Sequence, residues 1–458
     1  MNKYLATLCL SILSTSMLYA EDLLDIYAKA KQEDPIFGAA YQSLLSASEK
    51  LPQARSGLLP TLNLNATTAQ QKGKSAFNYG AYSNRDIQNW GVNLQATQPI
   101  FRVQNWAIYK QAGAQIRQAE ADFLKARQDL ILRVTQAYFD ILIAKDSIDV
   151  YETQIKAVEY QLEAARKNYQ AGITTITDIH EAKSRLDLAN ANLIASQTEF
   201  ENKKAALEQI IGYQIESIAP LKKRVSIQQP LPANVKEWMD AAAINSPNVL
   251  FYKASLDAAS YEITKNRAGH LPTLDLTASY GENYASGSMA SPSDIKSRYR
   301  AGQVGLQLSL PIFTGGLTYS KTEEAQINHK KAKLELESAK RNAISGAKQA
   351  FYGMKNGIAQ IKALDSAVTN SENSVESNKI GYKIGVRINI DVLNAEQQLA
   401  NTKRELTKAK YETLLFGLKL KASNGILTDN DISEINGMLT AIPQKYSTNK
   451  YHEKGNKK

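Results

Sequence analysis

Asp178 and Asp391 occupy matching places in two related stretches, NYQAGITTITDIHEAKSRL (168–186) and GYKIGVRINIDVLNAEQQL (381–399). Tyr169/Tyr382, Gly172/Gly385, Ala182/Ala395 and Leu186/Leu399 coincide as well. A carboxylate just inside a helix start is favoured by the helix dipole. Arg387, two residues past the second turn glycine, has a planar guanidinium that can hold several acceptors at once. This is the chemistry of recognition and charge placement. Catalysis would need groups the sequence does not assemble. His180, His270, His329 and His452 are scattered without metal-ligand spacing. No nucleophile motif, Gly-rich phosphate loop or HExxH appears, so no enzyme activity, cofactor or metal is expected.

Long helices must carry these turns. No proline occurs between Pro99 and Pro220, or between Pro311 and Pro443, and proline disrupts helix interiors. Apolar residues recur every seven positions: Ile116, Phe123, Leu130, Ala137, Ala144, Tyr151, Val158 and Ala165, beside Val134, Ile141, Ile148, Ile155, Leu162 and Tyr169. The period continues after Gly172 with Ile179, Leu186, Leu193, Phe200 and Leu207. It returns in the second half as Met354, Ile361, Val368, Val375 and Tyr382, then Val392, Leu399 and Leu406. A sustained heptad predicts helices that coil about each other left-handedly. The stretch from Arg102 to Gln170 alone would reach on the order of 100 Å.

A different pattern precedes each long helix. TLNLNATT and NWGVNLQATQ in the first half, and TLDLTASY and QVGLQLSL in the second, alternate apolar residues with Asn, Gln, Thr and Ser. Period-two alternation predicts half-buried strands, and their length suits tilted membrane strands. The uncharged polar face would suit a water-filled lumen. Trp90, Trp106, Tyr79, Tyr82, Tyr299 and Tyr319 fall at or beyond the strand ends, where an interfacial aromatic belt is expected. Four strands cannot close a barrel, since small barrels need about 8, and open edges are not viable in lipid. The barrel must be shared: two chains would supply eight strands and three would supply twelve.

Other features narrow the setting. MNKYLATLCLSILSTSMLYA (1–20) reads as a secretory signal peptide, and the only cysteine, Cys9, lies inside it without a lipobox. No later stretch is apolar enough for a membrane-spanning helix. The net charge of +10 comes partly from the basic tail QKYSTNKYHEKGNKK. The remaining Lys and Arg are spread along polar helical faces, which argues against nucleic acid as a partner.

The landmarks repeat in order. DPIFGAAYQ answers SPNVLFYKA, with Asp34 or Ser246 as N-cap and proline next. SGLLPTLNL answers AGHLPTLDL, and QPIF answers LPIF. The chain is therefore an internally duplicated α+β membrane protein. The first repeat spans about 21–215 and the second about 236–428. Helical segments are expected at 21–59, 102–271 and 314–425, β-hairpins at 60–101 and 272–313, a linker at 213–235, and a C-terminal segment at 426–458.

LLPTLNL with HLPTLDL, QPIF with LPIFTGG, AGITTITDIHEA and GYKIGVRINIDVLNAEQQL together resemble the TolC-like outer-membrane efflux proteins. The resemblance covers essentially the whole chain after the signal segment. It implies a homotrimer of a Gram-negative outer membrane, with a 12-stranded β-barrel in lipid continuous with a long α-helical coiled-coil barrel in the periplasm. It implies a passive exit duct for drugs and toxic compounds, with type I protein secretion as a second use. The implied partners are a periplasmic adaptor protein and an inner-membrane transporter. By resemblance, Gly172, Ile173, Gly385 and Val386 are adaptor-contact turns. Tyr382, Arg387, Thr177 and Asp178 match a network that holds the entrance shut. Asp391 matches an acidic ring facing the tunnel, and Asn394 stands where the family can carry a second Asp, which implies a weaker ring. The competing reading is a periplasmic or surface coiled-coil structural protein without a pore. A duct specialised for metal ions fits poorly, because Met and His are few and no anchoring cysteine is present.

Overall fold

The computed structural model describes residues 21–440 except Tyr79, 223–224 and 292–294. The signal segment with Cys9, Tyr79, Pro443, His452 and the basic tail lie outside the described residues. The first half runs α1 (Leu23–Glu33), α2 (Pro35–Ser48), α3 (Lys50–Ser56), β1 (Thr61–Ser75), β2 (Ser83–Phe101), α4 (Val103–Gln170) and α5 (Ile176–Ile211). The second runs α6 (Val235–Asn245), α7 (Pro247–Arg267), β3 (Thr273–Ala285), β4 (Ser297–Ser309), α8 (Leu317–Lys383) and α9 (Asn389–Ser423). A short α10 (Asp429–Asn436) follows. Among the described residues no helix is long and apolar enough to cross a membrane.

The chain divides into two compact units. One takes residues up to Gly38, Ala126–Ala242 and Ile344 onward; the other takes Ala39–Lys125 and Ala243–Ala343. In the first unit the heptad positions of α4 do the packing. Leu130, Val134, Ile141 and Val158 are buried, as are Tyr138 and Phe139. The Tyr138 hydroxyl donates to the Ala219 carbonyl at 2.7 Å, which anchors the segment between the repeats. Asp34 caps α2 by accepting from the Phe37 N–H at 3.0 Å, and Arg133 pairs with it at 2.6 Å. Ser246, its counterpart, makes no side-chain cap.

The second unit holds one antiparallel sheet in the order β1-β2-β3-β4. Among the described residues, the outer edges of β1 and β4 have no strand partner. The register puts Leu62, Ala96, Ala278 and Val304 in one row, and Leu64, Leu94, Tyr280 and Gly302 in the next. The opposite face carries Asn63, Gln95, Ser279 and Gln303, among other neutral polar groups. The strands run to 13–19 residues, longer than the clean alternation. The reason is that backbone pairing continues past the apolar rows, through Lys72↔Asp86 and Lys74↔Asn84. A register shift between Pro99 and Phe101 places Phe101 opposite Leu274, on the apolar face. Tyr299 differs from its expected belt position. It pairs with Asn283 on the polar face, because its strand parity is odd where Arg298 and Arg300 are even.

Candidate functional site

The α4–α5 and α8–α9 turns are built alike. The Ile173 N–H donates to the Asn168 carbonyl at 2.8 Å and the Gly172 N–H to the Tyr169 carbonyl at 2.9 Å. In the second turn Val386 donates to Gly381 at 2.9 Å and Gly385 to Tyr382 at 3.2 Å. Both are Schellman closures, which need a left-handed residue just past the helix end. Gly172 at φ 74° and Gly385 at φ 78° supply it. The turns leave Ile173 72% and Val386 74% exposed, so each tip presents an apolar side chain.

Each turn is followed by the same helix start. Asp178 and Asp391 are the third residues of α5 and α9. The Asp391 Oδ2 accepts from the Ile388 N–H at 3.4 Å, reaching back over the helix start, and lies 3.8 Å from the Arg387 guanidinium. The Arg387 side chain lies over Gly381, where a Cβ would come within 2.6 Å of its Cγ. Gly381 thus makes room for the arginine. The Tyr382 hydroxyl accepts from Asn168 Nδ2 at 3.0 Å, tying α8 to α4. Thr177 is exposed and Asp178 half-buried. Among the described residues, no hydrogen bond or ion pair joins either side chain to Tyr382 or Arg387 within one chain. Asn394 Oδ1 accepts from the Arg185 guanidinium at 2.9 Å, which ties α9 to α5.

Beneath the turns, Val158 and Leu162 of α4, Ala182 of α5 and Leu393 of α9 form an apolar core with Ile179 and Leu186 against it. Lys379 of α8 pairs with buried Glu396 of α9 at 2.6 Å. Gln154 of α4 donates to Gln397 of α9 at 2.8 Å. Sequence reasoning missed Asn168, Gly381, Arg185, Lys379 and Glu396. One signal was available for the first two. They occupy the same place in the duplicated stretch, directly before the matched Tyr169 and Tyr382, yet differ from each other.

With this geometry in place, comparison with known proteins is decisive. The model of the family described as "Outer membrane efflux protein" matches residues 26–213 and 238–425, one match per repeat. The chain belongs to the outer membrane efflux protein family. It is 32% identical to the outer membrane protein TolC of Escherichia coli over 93% of this chain and 86% of that one. It is 30% identical to the alkaline protease secretion protein AprF of Pseudomonas aeruginosa, over 90% and 86%. The crystal structure of the outer membrane protein VceC of Vibrio cholerae superposes with a TM-score of 0.75 at 20% identity, covering 88% of this chain and 96% of that one. As a member of this efflux family, the protein is an exit duct rather than an enzyme.

Proposed function

We propose that three copies assemble into an outer-membrane duct whose helical part stands in the periplasm and whose entrance the Gly172 and Gly385 turns form and hold shut. The observation that carries this reading is the sheet. One face is apolar, the other is lined by amides and hydroxyls, and both edges are unpaired among the described residues. Such a sheet is viable in lipid only when further copies close it, and three copies give twelve strands. The cargo enters from an inner-membrane transporter through a periplasmic adaptor protein that grips the exposed Ile173 and Val386 tips. Type I protein secretion joins drug and toxic-compound efflux among its uses, supported by the likeness to a protease secretion protein. The Tyr382–Asn168, Arg387–Asp391 and Arg185–Asn394 contacts tie the turn helices to one another or to their own start, with Thr177 and Asp178 left to face a neighbouring chain.

The test is single-channel conductance of the detergent-purified protein in a planar bilayer, wild type beside Arg387→Ser. A small wild-type conductance that rises in the variant supports both the duct and the tied entrance. A stable pore unchanged by the substitution keeps the duct and removes Arg387 from the gate. A protein that extracts without detergent and forms no pore would instead support a coiled-coil structural role.

A further inference from the structure

The apolar face of the sheet ends in a charged cluster that the duct does not use. Successive rows on that face read Phe101–Leu274–Leu308, Gln98–Leu276–Leu306, Leu62–Ala96–Ala278–Val304 and Leu64–Leu94–Tyr280–Gly302. The next row is Ala66–Val92–Glu282–Arg300, and the one after it Thr68–Trp90–Tyr284–Arg298. The change from apolar to charged falls at the end of the strands that carries the hairpin loops, away from the helices. Trp90 stacks on Tyr284 at 5.9 Å in the last of these rows. From Phe101 to Trp90 the chain covers about 36 Å along the strand, roughly 28 Å in height at a tilt of about 40°. That matches the apolar thickness of a bilayer. The Arg300 and Arg298 rows therefore lie at headgroup level of the outer leaflet.

The cluster carries spare positive charge. Arg298 and Arg300 share one carboxylate, Glu282, with Arg300 Nε 2.9 Å from Oε2 and Arg298 bonded to Oε1. The Arg298 guanidinium also sits over the Trp90 ring at 5.8 Å. Both arginine side chains are more than 60% exposed while Glu282 is 19% exposed. The acid thus holds the two forks from behind and leaves donors facing outward. Directly toward the helices lies a shallow groove of about 360 Å³ between Leu62, Leu94, Ala96, Tyr280 and Val304, opened because Gly302 has no side chain beside the Tyr280 ring.

We propose that Arg298 and Arg300 with this groove form a binding site for a phosphate-bearing, acylated lipid of the outer leaflet. The guanidinium pair takes the phosphate, for which planar forks are suited, and the groove takes an acyl chain. The site rests on the outer-membrane reading given above. It would fix the rotation and height of each hairpin in the lipid, a role separate from conduction.

The test uses the full-length protein purified in mild detergent, with diphosphorylated lipid A and its dephosphorylated form as probes in native mass spectrometry. The wild type should retain the phosphorylated form on the order of tenfold more tightly. Arg298→Gln with Arg300→Gln should abolish that preference while leaving the oligomer mass unchanged. Gly302→Leu should weaken both forms alike by filling the groove. Equal retention of the phosphorylated lipid by the wild type and the double variant would overturn the site. Failure of every lipid and detergent to associate with an intact oligomer would instead overturn the membrane reading beneath it.

Discussion

The Tyr382–Asn168 hydrogen bond can be tested as a tie across the entrance. Tyr382→Phe removes only the hydroxyl that accepts from Asn168 Nδ2 at 3.0 Å, and the ring stays in its half-buried place. One net hydrogen bond contributes about 1 kcal/mol. In the proposed trimer, opening would break three of them together, so the variant's closed form would lose about 3 kcal/mol relative to the open one. At about 1.4 kcal/mol per decade, that is on the order of 100-fold in the closed-to-open ratio. Single-channel recording of Tyr382→Phe should show a matching rise in open probability. Asn168→Ala should give the same rise, and the double variant should add nothing, because both changes delete one interaction. Tyr382→Phe combined with Asp178→Ala should be additive. The reasoning fails if the Asn168 pair is additive, or if the Asp178 pair is the one that saturates.

Four further outcomes can be measured on other residues. Asp391→Ala should abolish block by multivalent cations added on the side of the helical turns, measured by the same recording; equal block of wild type and variant would remove Asp391 from the tunnel axis. Asp429 concerns acid stability. Burial alone would raise its carboxyl, but hydrogen bonds from Arg127 at 2.9 Å, Lys31 at 3.0 Å and Tyr27 at 2.8 Å outweigh burial and hold it at about 2, below the ordinary 3.8. A depressed carboxyl stabilises fully above its unfolded value and loses that contribution as pH falls through about 2. Asp429→Asn should therefore cost about 1 kcal/mol at neutral pH, after allowance for screening at a partly exposed site, and nothing once the pH is well below the folded pKa; thermal midpoints across pH would show it. Gly385→Ala puts a side chain at φ 78° and should destabilise the turn by roughly 1–2 kcal/mol. Gly346→Ala, within α8 and in open space, should stabilise by about 0.5–1 kcal/mol, and hydrogen exchange would resolve both.

The parts legible in the sequence are those that repeat at short range. The strands declare themselves by alternation over a few residues, and the two turns by a glycine at a helix end. The heptads mark the buried line of α4 through Leu130, Val134, Ile141 and Val158. Less legible are features decided by which residues meet across long sequence separation. Nothing local indicates that Asn168 reaches Tyr382, because that depends on how α4 and α8 are aligned along their lengths. The register shift near Pro99 is similar: it moves Phe101 to the apolar face, against simple parity. Asn394 was read as a lost carboxylate, whereas its amide accepts from Arg185, so the place gains a nearby positive charge besides losing a negative one.

The duplicated turn explains why such contacts arise. Two copies of one Schellman closure present equivalent positions to different neighbours, so each copy can specialise while the backbone stays the same. At one such position the first copy has Asn168 and the second Gly381. The amide donates across to Tyr382, and the glycine, lacking a Cβ, admits the arginine of its own turn. The counterpart of Arg387 is Thr174, too short to fold back over its turn in the same way. The first turn therefore supplies a tie to the second, and the second supplies an exposed positive charge beside Asp391. Exchanging the pair, Asn168→Gly with Gly381→Asn, would remove the tie and displace the arginine together. It should loosen the entrance more than Tyr382→Phe alone. If it did not, Gly381 would be only a tolerated small residue and the asymmetry would have no part in closure.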